Sequence, residues 1–101
     1  MNIISKNTAK EIVNILNAIS KPIAVELNID LELWGRIKKE QALLTAKYKF
    51  LDSKSITLAN YEITILAKAF ANISEHFAVF EMKLTPELAK QVWNIYNNIL
   101  T

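Results

Sequence analysis

The chain has 101 residues, of which 51% are apolar, with a formal net charge of +2 and no cysteine. That length suits one compact domain with a single core, and the missing cysteines exclude disulfide frameworks, thiolate metal sites and cysteine nucleophiles. One Gly and two Pro leave little material for turn-rich β architectures, so a helix-rich fold is expected.

The first residues, MNIISKNTAKEIVNIL, show no signal-peptide pattern, and no apolar run reaches the ~20 residues that span a bilayer. The expectation is a cytoplasmic chain with no membrane partner. Charge is mildly uneven: residues 1–54 carry nine Lys and Arg against six Asp and Glu, and residues 55–101 carry three against four. This falls short of a nucleic-acid footprint.

In chain order, a first helix is expected over about 8–19, capped by Asn7 or Thr8. Ile12, Val13, Ile15, Leu16 and Ile19 share one side of it. Pro22 then reads as a stop. Apolar residues at every odd position from Ile23 to Leu33 predict a strand over about 23–29, with Asp30 capping a helix over about 31–51. Gly35, in the second turn of that helix, suggests close approach by another backbone. A third helix is expected over about 57–77, capped by Ser55 or Thr57 and apolar around most of its circumference. Phe80, Met82 and Leu84 alternate with Glu81 and Lys83 to predict a second strand over about 79–84. Thr85 and Pro86 then start a last helix over about 86–100.

The fold class read from this pattern is α+β, predominantly helical, in a single domain spanning 1–101. The segments VELNIDLEL (25–33) and FEMKLTPEL (80–88) form a strand–helix pseudo-repeat, and a lone strand needs a partner, so the two copies are expected to pair within one chain or between chains. Running residues 57–83 as one long helix gives the alternative, an all-α four-helix bundle.

Catalysis finds little support in the residues. His76, the only histidine, stands near a helix end without a second positioned group, and one glycine cannot build a phosphate-cradling loop. The acidic residues are dispersed. No catalytic, cofactor-binding or metal-ligating residue is assigned, and the chain is expected not to be an enzyme.

The run VELNIDLELWGRIKK, followed by a connection and the helix from Ser55 to Phe70, resembles the ribbon-helix-helix family of DNA-binding regulators over residues 23–72. The resemblance implies paired strands lying in the major groove. It places Glu26 and Asn28 at base-facing positions and makes Lys38 and Lys39 phosphate contacts; Glu81 and Lys83 are their counterparts in the second copy.

Two surfaces stand out as partner sites. The back of the second long helix carries Arg36, Lys38, Lys39, Lys47 and Lys49, either a solvated face or a site for an acidic partner. The last helix sets Trp93, Tyr96 and Leu100 along one edge, residue types that anchor interfaces. The leading expectation is a small non-enzymatic protein that binds another protein, self-associates as a dimer and acts as an inhibitor or adaptor of a larger machine. Nucleic acid is the alternative partner. Richness in Asn, Ile and Lys suggests an AT-rich bacterial, plasmid or phage genome.

Overall fold

A computed structural model describes residues 2–50, 54–76, 90, 92, 94 and 95. Among them the order is β1 (Asn2–Ser5), α1 (Lys6–Asn17), α2 (Lys21–Glu26), α3 (Leu31–Phe50), β2 (Ser55–Leu58) and α4 (Asn60–Glu75). Lys90, Val92, Asn94 and Ile95 are helical as well. The class is therefore predominantly helical α+β, and the all-α alternative is set aside.

The strands stand elsewhere than the alternation predicts. β1 and β2 pair antiparallel, with Ile4 opposite Ile56 and Ile3 opposite Thr57, and the Lys6 N–H extends the ladder to the Lys54 carbonyl at 2.9 Å. Ile4, Ile56 and Leu58 point into the core while Ile3 and Thr57 face solvent, the period-two pattern of a half-buried ribbon. Ser5 ends β1 and caps α1, its Oγ accepting from the Thr8 N–H at 3.1 Å. The cap thus lies earlier than the expected Asn7 or Thr8. Likewise Ser55 and Thr57 belong to β2, and α4 begins after Ala59.

Residues 23–29 are not a strand. Pro22 begins α2 instead of ending α1: it occupies the first helical turn, where a missing N–H costs nothing. The helix buries Ala24, its C-cap Leu27 is buried three residues on, and Val25 is exposed, a spacing that odd-position counting overlooks because Ala24 is small. Asn28 then takes a left-handed φ of 59° and stops the helix. The Asn28 N–H reaches the Val25 carbonyl at 3.1 Å and the Ile29 N–H the Ala24 carbonyl at 2.9 Å, the two bonds of a Schellman stop. Two residues later Asp30 caps α3 as expected, its Oδ1 accepting from the Leu33 N–H at 2.7 Å. VELNIDLEL is therefore a helix end, a left-handed joint and a helix start. Its counterpart at 80–88, with the strand expected at 79–84, lies outside the described residues.

The core forms where α1 crosses α3 and α3 meets α4. Ile12, Ile15 and Leu16 of α1, Ile37 and Leu44 of α3, and Leu66, Phe70 and Ile73 of α4 are buried, joined by Val92 and Ile95. Each large apolar side chain so buried contributes about 1.5–3 kcal/mol relative to exposure. Gly35 is exposed, and a Cβ placed on it would meet nothing within 4 Å, so no neighbouring backbone requires it.

Candidate functional site

The five cations expected on one helix face divide into two groups. Lys38 turns inward: its Nζ donates to the Leu16 carbonyl at 2.7 Å and to Gln41 Oε1 at 3.2 Å, with the Trp34 ring 6.0 Å away. Lys47 turns the other way. Its Nζ meets both Glu62 oxygens, at 3.2 and 3.1 Å, and the Thr57 carbonyl at 3.3 Å. Both side chains join elements together and are partly buried.

Arg36, Lys39 and Lys49 remain outside, Arg36 paired with Glu32 at 2.8 Å one turn earlier. They share the outer side of α3 with Leu43, 45% exposed, and Phe50, 83% exposed. Positions 36, 39, 43, 46 and 50 alternate steps of three and four, which places Arg36, Lys39, Leu43, Ala46 and Phe50 along one line of the helix. Between Leu33 and Phe50 the only acidic residue is Glu40, and it is buried. From Leu33 to Phe50 the outer face combines apolar knobs with the cations Lys39 and Lys49, while at its start Arg36 is paired with the exposed Glu32. Leu43 and Phe50 escaped the sequence reading, although their seven-residue spacing, continued back to Arg36, was the available signal.

At its Arg36 end this face borders a groove of about 420 Å³ between α3 and α4, floored by Leu33 and Ile65 and rimmed by Tyr61 and Lys68.

Beneath the same helix lies a cluster that sequence reasoning missed. Glu40 is 2% exposed and Glu62 4% exposed. Glu62 accepts from Lys47 and, through Oε1, from the Ala59 N–H at 3.0 Å, so it serves also as the first-turn acid of α4. Glu40 hydrogen-bonds Glu62, and its Oε1 is sealed from solvent without a partner. Burial, then the hydrogen bond and charge of Glu62, push the Glu40 carboxyl up to about 8 despite the opposing pull of Lys47. Burial also presses Glu62 upward, but the bonds from Glu40, Ala59 and Lys47 overcome it and hold Glu62 below the usual range. Glu40 sits between Ile37 and Leu44 at helical spacing, and Glu62 one turn before Leu66. That placement was the signal in both cases.

The remaining sequence candidates fall differently. Glu26 is the exposed last residue of α2, and Asn28 is the left-handed stop, so neither stands on a strand that could enter a DNA groove. Glu81, Lys83, Trp93, Tyr96 and Leu100 lie outside the described residues. His76 closes α4, its Nδ1 3.2 Å from the Asn72 carbonyl. Among the described residues, no three His, Asp or Glu side chains converge as metal ligands, and no helix is long and apolar enough to cross a membrane. No protein-family model, curated protein or solved structure matches the chain.

Proposed function

We propose that the chain is a small non-enzymatic binding protein that docks a partner protein on the outer face of α3 and acts as an inhibitor or adaptor of a larger cytoplasmic machine. The observation that carries this reading is the exposure of Leu43 and Phe50 in line with Arg36 and Lys39, beside Lys49, with no exposed acid among them from Leu33 to Phe50. An isolated exposed Leu needs no explanation, but large apolar groups repeating at helical spacing, flanked beyond the Glu32–Arg36 pair by cations alone, favour a complementary helix. The occupant is an amphipathic helix that sets apolar residues against Leu43, Ala46 and Phe50 and Asp or Glu against Lys39 and Lys49. Two copies of the α3 face would oppose like charges, so this surface favours a different protein over self-association.

A photo-reactive residue at Ala46, followed by mapping of the crosslinked peptide from host lysate, tests the assignment. The expected product is an acidic amphipathic segment, lost in Phe50→Asp and in Lys39→Glu/Lys49→Glu. Crosslinks to the chain itself, or capture of nucleic acid that those substitutions abolish, would overturn it.

A further inference from the structure

The deepest polar feature of the described residues is the contact between Glu40 on α3 and Glu62 on α4. Two carboxyl groups in hydrogen-bond contact inside a core cannot both be ionised cheaply, because burial removes the water that would screen them. The donors decide which one carries the charge. Glu62 receives Lys47 on both oxygens and the Ala59 N–H on one, whereas Glu40 has Glu62 alone and leaves Oε1 unpartnered. The proton therefore resides on Glu40, which donates it to the Glu62 carboxylate. The charged groups acting on Glu40 are Glu62 from α4 and Lys47 from its own helix; among the described residues, neither α1 nor β2 supplies another.

We propose that one proton shared between Glu40 and Glu62, balanced by the single ammonium of Lys47, latches α4 to α3, and that loss of this proton releases the two helices from each other. With the proton in place the cluster is neutral: one carboxylate, one ammonium and one carboxylic acid. Without it a net negative charge is enclosed between the helices, and the hydrogen bond that joined them becomes a repulsion. Ionised Glu40 gains its missing hydration only if the interface opens. Lys47 would be carried along, because it also ties α3 to the Thr57 carbonyl of β2. The latch is alkaline-sensitive, closed in mild acid and open in base, and it goes beyond the partner-binding reading without depending on it.

The experiment follows the Glu40 side-chain carboxyl carbon by NMR in the full chain between pH 4 and 10, with the thermal unfolding midpoint measured across the same range. The expected results are a titration near 8, well above the ordinary 4.5, and an unfolding midpoint that falls as pH rises from 5 to 8. Glu40→Gln, which keeps a neutral donor toward Glu62, should leave the midpoint flat over that interval. Amide protection in the first turn of α4, corrected for base-catalysed exchange, should fall with pH in the native chain and hold in the variant. Titration of Glu40 near 4.5, or a pH-dependent midpoint that persists in Glu40→Gln, overturns the proposal. The carbon titration needs no substitution, so it decides the matter even if the variant fails to fold.

Discussion

The Lys38 ammonium on α3 donates to the Leu16 carbonyl of α1 at 2.7 Å, so one helix adds a charged donor to the C-terminal turn of another. The last carbonyls of a helix lack intrahelical donors and form the negative end of its dipole, where a cation is favourable. Just beyond that helix end the Trp34 Nε1–H donates to the Ile19 carbonyl at 3.3 Å, and Gln41 bridges Lys38 to Asn17. Burial lowers the Lys38 pKa without removing its role. Lys38→Met keeps the stem and removes the charge. We expect a loss of about 1.5–3 kcal/mol, the range for a hydrogen bond to a charged group, read as a lower urea midpoint at constant slope. An unchanged midpoint would mean that the Ile19 N–H, 3.1 Å from the same carbonyl, satisfies Leu16 by itself.

Gly35 lies within α3, takes no left-handed conformation and has open space around its missing Cβ. Gly35→Ala should stabilise the chain by about 0.5–1 kcal/mol, because alanine loses less backbone freedom in a helix. Thermal unfolding would show the gain; a loss would reveal a contact that needs glycine.

Asn28 holds the joint between α2 and α3 at φ 59°. Glycine should be accepted there without loss, while valine should cost about 1–2 kcal/mol, since a β-branched side chain is strained in that region. Equal stability of Asn28→Gly and Asn28→Val would show that the joint can rearrange.

Glu62 supplies the acid limb of the stability profile. Its pKa is depressed in the fold, so its contribution is present above the ordinary value of 4.5 and lost as pH falls through the folded value. Glu40 has the opposite sign: its pKa is raised to about 8, so its contribution is complete below 4.5 and lost as pH rises through 8. For this pair alone, stability peaks near the ordinary carboxylate value. Glu62→Gln strands Lys47 and should cost about 1–3 kcal/mol at pH 6 while flattening the acid limb, measurable by denaturant titration at several pH values.

The long helices were legible because their apolar residues recur at 3.6-residue spacing over several turns: Ile12, Val13, Ile15, Leu16 and Ile19 are all buried, and Asp30 caps as its side chain predicts. Short elements defeated the same reading. In a six-residue helix such as Lys21–Glu26, chance alternation of Ile23, Val25 and Leu27 outweighs a single buried Ala24. Four-residue strands offer too few positions for a period to show: among the described side chains Ile4 alone is buried in Asn2–Ser5 and Ile56 and Leu58 in Ser55–Leu58, and Ser55–Leu58 merges by composition into the helix that follows. The paired roles of Glu40 and Glu62, and of Lys38 and Leu16, depend on which helix faces which. Periodicity within one helix does not encode that.

The pairing of Ile4 with Ile56 also sets an order of events during synthesis. A ribosome emits β1 first, but its partner emerges only after α1, α2 and α3 have left the exit tunnel. Until then β1 waits without β2, and the ribbon closes across a loop of about fifty residues, which costs entropy that local helix formation avoids. Docking of the intervening helices shortens that search, so β1, made before its partner strand, is expected to settle after the helices that lie between the two.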